Sequence, residues 1–139
     1  MLSAQDSIRF DGVHCSIVLE RPADRVVLLR ISGTDTGELG DAPMQALDDC
    51  LTNDEPVELF IDARAVRGAS IDVSSEWAGW LSARRKSLVS ITMLTGSRLI
   101  QITAEFVRRF ADLNGIMWVC TEPEVFDLAL FQALKKVTP

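Results

Sequence analysis

The sequence predicts one α/β domain with a mainly parallel central sheet and an antiparallel hairpin strand at its N-terminal edge. Three observations carry that expectation. Beyond residue 40, apolar runs bounded by turn residues alternate with segments of helical periodicity. Ahead of them stand two strand-like runs joined by a four-residue turn. The chain has 139 residues, 47% hydrophobic and 24% charged, which fits one domain (1–139) large enough to bury a core without disulfides.

The first hairpin is HCSIVLE (14–20), the turn RPAD and RVVLLRISG (25–33), with Pro22 and Asp24 supplying turn chemistry. IRF (8–10), just before Asp11-Gly12, can pair as well. A polar loop, GTDTGELGD, leads to Asp41 as expected N-cap of a helix over 42–52, where Met44, Leu47 and Leu51 recur at helical spacing beside Cys50. VELFIDA (57–63) is almost wholly apolar up to Asp62, as a strand covered on both faces should be. RAVRGAS (64–70) reads as a loop. Val73, Trp77, Trp80 and Leu81 then fall at i, i+4, i+7 and i+8, predicting a helix from near Asp72 to near Arg85.

SLVSITMLTG (87–96) is the next strand, and SRLIQITAEFVRRFADLNG the clearest helix. Leu99, Ile102, Phe106, Phe110 and Leu113 are expected to face the core, with Arg98, Gln101, Glu105, Arg108 and Asp112 opposite and Asn114-Gly115 closing the end. IMWVC (116–120) is the last strand. Thr121-Glu122-Pro123-Glu124 forms a capping box that opens a helix whose Phe126, Leu130, Ala133 and Leu134 face inward. The order is therefore β-β-α-β-α-β-α-β-α, joined by right-handed crossovers.

Composition narrows the function. The net charge of −6, with basic residues in short groups near helix ends, argues against a nucleic-acid partner. No stretch approaches the ~18–20 apolar residues that span a bilayer, and the N-terminus lacks a signal-peptide pattern, so neither membrane insertion nor secretion is expected. Cys15, Cys50 and Cys120 form no CxxC pair and read as buried free thiols in a reducing compartment, which places the chain in the cytoplasm and predicts no metal or cofactor. One histidine, His14, and no tyrosine leave little material for acid–base or nucleophilic chemistry, so a non-enzymatic role is expected. The loop 33–41 has glycines but no P-loop Lys-Ser/Thr, and acids without EF-hand spacing. A flexible connection is the better reading.

The run VELFIDARAVRGASIDVSSEW resembles the STAS domain, the family of bacterial anti-sigma factor antagonists. Members have an apolar strand ending in Asp, then an apolar-Asp-Ser-Ser-Gly-Leu sequence at a helix start. Phe60-Ile61-Asp62 corresponds to the first part, and Ile71-Asp72 with Ser74-Ser75 to the second. Val73 intervenes between Asp72 and the serines, and Glu76-Trp77 stands where the family has Gly-Leu. The likeness extends from about Val26 to the end. The long N-terminal hairpin and the tail EVFDLALFQAL look most like the divergent SpoIIAA-like, or STAS/SEC14-like, branch. This resemblance implies a regulatory or protein-interaction module, with a kinase-like anti-sigma factor as the kind of partner.

Two readings of the helix start follow. Asp72, Ser74 and Ser75 can all cap the helix, with Asp72 or Ser74 bonding the free N–H groups of its first turn, or this group together with Ser70 is also a partner-docking and phosphorylation site, since a phosphate there would meet the same free backbone N–H groups. The alternative function is a carrier of a small hydrophobic ligand or lipid, held between sheet and helices with Trp77, Trp80 and Phe106 as walls. Self-association into a homodimer, through the edge hairpin or an apolar helix face, is compatible with either.

Overall fold

The computed structural model describes residues 7–51 and 55–137. Six strands, β1 (Ser7–Asp11), β2 (Cys15–Ala23), β3 (Val26–Asp35), β4 (Val57–Ala69), β5 (Leu88–Thr95) and β6 (Met117–Cys120), form one sheet in chain order. β1, β2 and β3 pair antiparallel, while β3 through β6 run parallel. Helices α1 (Ala42–Cys50), α2 (Ile71–Ala83) and α3 (Arg98–Phe110) make the crossovers, and α4 (Pro123–Val137) follows β6.

Because each crossover steps one strand in the same direction, one handedness puts all three connecting helices on one face of the sheet. The strand residues divide by parity accordingly. Val27, Leu29, Leu59, Ile61 and Ile91 pack with Leu47, Leu81, Ile100 and Val107 of α1–α3. Their neighbours Val26, Leu28, Phe60 and Leu94 pack on the other face with Phe126 and Ala133 of α4, where Phe60 and Phe126 meet edge to face at 5.8 Å. The expected mainly parallel sheet with an antiparallel N-terminal edge is present, and Ser7–Asp11 adds a full strand to the hairpin.

Several boundaries differ from the sequence reading. β2 begins at Cys15, which leaves His14 in the hairpin bend. α1 ends at Cys50, and Asp41, although at the N-cap position, makes no side-chain capping bond; Thr52, the expected last residue of this helix, lies outside the described residues. The segment 64–69 is strand, not loop. It continues β4 along β3 as far as the pair Asp35↔Ala69, after β4 has parted from β5 at Ala63↔Thr95. Small Ala65, Gly68 and Ala69 and a bulged register hide this strand from a hydrophobicity pattern.

The largest correction concerns α3. Leu99, Ile102, Phe106 and Phe110 were expected inside, yet they are 62%, 58%, 54% and 69% exposed. Ile100, Ala104, Val107 and Ala111 are buried in their place. The apolar arc of this helix is wide enough for two stripes, and the one with alanines allows close approach to the sheet. The helix also stops earlier than Asn114-Gly115. Asp112 adopts a left-handed conformation (φ 55°), Leu113 N donates to Arg108 O at 2.8 Å and Asp112 N to Arg109 O at 3.2 Å, a Schellman ending with Leu113 fully buried behind it.

Candidate functional site

β3 and β4 end side by side, and from there the chain turns into α2. Ser70 N donates to Asp35 O at 3.0 Å, while Ser70 Oγ accepts the Val73 N–H at 3.1 Å. Ser70 is therefore the N-cap. Asp72 and Ser74, the expected caps, lie at the second and fourth helical positions because β4 runs to Ala69 and the helix begins at Ile71. Half-buried Ser74 turns its hydroxyl inward, donating to Ser70 O at 3.1 Å. Asp72 and Ser75 are exposed, and Ile71 is 84% exposed. The carboxylate of Asp72, in the first turn, complements the positive end of the helix dipole.

Beneath this start lies Asp35, buried, with Oδ1 accepting the Gly37 N–H at 3.0 Å. Its role was missed in the sequence, although Asp35-Thr36-Gly37 carries the spacing of an Asx turn. The loop after it is pinned, not flexible. Glu38 Oε1 accepts the N–H groups of His14 (2.7 Å) and Cys15 (2.9 Å), and Oε2 that of Val13 (3.2 Å). A Cβ on Gly12 would meet the Glu38 carboxylate, so a side chain there would displace it from its present position. Hydrogen bonding, from the His14 N–H first, holds the Glu38 carboxyl below its ordinary pKa. The stabilisation it lends is thus complete above the usual carboxylate range and is lost as pH falls through the lowered value.

Asp62, the strand-end acid of the resemblance, points elsewhere. It is buried on the α4 side, where it accepts from Arg64 N (3.2 Å) and Arg64 Nε (3.0 Å), and Arg64 reaches on to Asp127 of α4 at 3.6 Å. That trio pins β4 to α4.

A cavity of about 90 Å³ lies between the sheet, α2 and α3, lined by Leu29, Ile61, Val73, Trp77, Ile100 and Val107 among others. Of the three expected wall residues only Trp77 touches it. Trp80 turns toward α1, where its Nε1 donates to Asp48 Oδ1 at 3.2 Å and the Arg84 guanidinium, paired with Asp48, sits 4.9 Å from the ring centre. Phe106 stands on the outer side of α3, stacked on Phe110 at 5.6 Å. The cavity is well below the ~300 Å³ at which pockets for drug-sized ligands begin.

Nucleophiles are muted. Burial first, and then the nearby charges of Asp35 and Glu38, push the Cys15 thiol up to about 11. Burial likewise raises Cys50 and Cys120. Thiolate is scarce at neutral pH at all three. His14 is exposed in the hairpin bend. Among the described residues no group of three or more His, Cys, Asp or Glu side chains is placed to hold a metal ion, and no helix is long and apolar enough to cross a membrane.

The fold is SpoIIAA-like, a mixed α/β architecture. An uncharacterized DUF3478-family protein with a SpoIIAA-like fold from Shewanella loihica PV-4 matches at TM-score 0.61 and 16% identity, over 92% of this chain and 98% of its own. The anti-sigma factor antagonist SpoIIAA in its unphosphorylated form matches at 0.56 and 18% identity, over 81% and 95%. An anti-sigma factor antagonist from Mycobacterium paratuberculosis gives 0.54 and 16%, over 94% and 99%. No family model and no curated protein matches the sequence. The resemblance read from VELFIDARAVRGASIDVSSEW is thus borne out as fold.

Proposed function

We propose that this chain is a non-enzymatic regulatory module that docks a partner protein at the start of α2, the partner being of the kinase-like anti-sigma factor kind. One observation carries the reading. At the end of the sheet where β3 and β4 terminate, Ser70, Asp35 and Glu38 hold the backbone through hydrogen bonds, while Ile71, Asp72 and Ser75 on the same helix start project into water. A rigid base carrying outward side chains suits recognition, and the likeness in fold to two anti-sigma factor antagonists supports a protein partner.

Phosphorylation has two accessible forms here. At Ser70 a phosphate would meet the free N–H groups of the first turn, but only after the bond to Val73 N is given up. At Ser75, exposed but one turn further in, it would alter the docking face by charge alone. Ser74, bonded to Ser70 O, is the least available of the three. The carrier alternative would need the 90 Å³ cavity to widen several-fold.

A photo-crosslinking amino acid at Ser75, compared with one at Asp24 in the β2–β3 turn at the opposite end of the sheet, tests the docking reading in the protein's own host. A discrete adduct with a second, different polypeptide from position 75 and none from position 24 is the expected result. Equal labelling from both, or none from 75, would overturn it.

A further inference from the structure

α2 and α3, of 13 residues each, follow the parallel strands β4 and β5 and so start at the same end of the sheet, and the Arg85–Asp112 ion pair (3.3 Å) joins the segments just beyond their C-terminal ends. The outward surface of this pair is ordered from side to side. On the flank of α2 away from α3 stand the exposed acids Asp72 and Glu76. Along the crest of α2 run exposed Ser75, Gly79 and Ser82. Ile71 and the α3 stripe Leu99, Ile102, Phe106 and Phe110 come next, and on the far flank are exposed Arg98 and Arg109. Neither Asp72, Glu76, Arg98 nor Arg109 has an ion-pair partner among the described residues.

We propose that this surface docks a second copy of the chain about a two-fold axis parallel to α2 and α3. Such an axis exchanges the two flanks, so the acidic rim of each copy meets the basic rim of the other, with Asp72 opposite Arg98 at the helix starts. An axis across the helices would set acid against acid and arginine against arginine. Charge thus selects one arrangement of the two. Shape selects the same one, because it lays the Phe106–Phe110 ridge of each copy over the low Ser75-Gly79-Ser82 crest of its partner. Gly79 fits that role. A mid-helix glycine disfavours the helix relative to alanine, and no described atom lies within 4 Å of where its Cβ would be. Close approach from outside is what it permits. The five apolar side chains leave on the order of 500 Å² in water, a large share of the ~800 Å² per partner that a standard interface covers. Asp72 belongs to both surfaces, so self-association and partner docking exclude one another; only this exclusion, and not the dimer, rests on the docking reading.

Sedimentation velocity of the full chain from micromolar to sub-millimolar concentration tests the proposal. The expected result is a concentration-dependent species of twice the 15.3 kDa chain mass. Phe106→Asp on α3 and, separately, Gly79→Glu on α2 should each leave a folded monomer, so that a folding defect in one variant does not decide the matter. Arg98→Glu should weaken association at least ~10-fold, since two opposite-charge pairs become like-charge pairs, and adding Asp72→Arg should restore it. A monomer throughout, a dimer indifferent to Phe106→Asp and Gly79→Glu, or a failure of the charge exchange to restore association would each overturn the assignment. Binding of the monomer to liposomes through the same stripe would instead assign the surface to a membrane.

Discussion

Helices α2 and α3 have the same length and direction and share one face of the sheet, yet they distribute their large side chains in opposite ways. α2 turns Trp80 and Leu81 inward and shows Ser75, Gly79 and Ser82 to solvent. α3 packs through Ala104, Val107 and Ala111 and shows Phe106 and Phe110. Trp80 is part of the fixed structure, tied by Asp48 to α1 and covered by Arg84. Phe106 is exposed and stacks on Phe110. The contrast shows that an apolar residue at helical spacing marks a surface that prefers to leave water, without saying whether the chain's own core or another molecule covers it.

The strongest way to break this contrast is to truncate both aromatic positions. Trp80→Ala should cost about 3–5 kcal/mol in urea unfolding, because it empties buried volume and leaves Asp48 and Arg84 without the indole between α1 and α2. Phe106→Ala should stay within about 0.5–1 kcal/mol of wild type, as expected where only a half-exposed ring contact is lost. Similar losses at the two positions would mean that α3 is not turned as described.

A smaller effect separates the serines of α2. Ser70→Ala should cost about 1 kcal/mol by freeing the Val73 N–H, whereas Ser75→Ala, exposed inside the helix, should be neutral within about 0.5 kcal/mol or slightly stabilising. Equal losses, read from the urea midpoint at constant slope, would return the cap to a shared role for the whole serine group.

Much of the fold was legible because strand and helix periods differ. VVLL at 26–29 announced a hairpin strand and ELFI at 58–61 a strand covered on both faces, and the βαβ alternation announced the parallel sheet. The turn of α3 was not legible. Two apolar stripes on one helix have the same periodicity, and the choice between them depends on how closely the backbone approaches the sheet. The β4 extension escaped for a related reason, since Ala65, Gly68 and Ala69 carry no pattern and are held by pairing to β3. At the site, the cluster of Ser70, Asp72, Ser74 and Ser75 was visible as a helix start, but which residue caps it depended on where β4 ends. Asp35 and Glu38 were read only as acids unsuited to phosphate or calcium. The contacts of Glu38, to His14 and Cys15 in the hairpin bend, exist only once the hairpin has closed over the loop, whereas Asp35 accepts from Gly37 two residues on, an Asx turn that is local in sequence.

The central claim, that the start of α2 is where this domain meets another protein, is tested most directly by native mass spectrometry of the chain isolated from its own host, alongside Asp72→Arg. The account predicts a wild-type complex containing a second, different polypeptide, and its loss in the variant while the variant remains folded. A wild-type chain found only bare or carrying an apolar adduct, or a protein complex retained unchanged by Asp72→Arg, would contradict it.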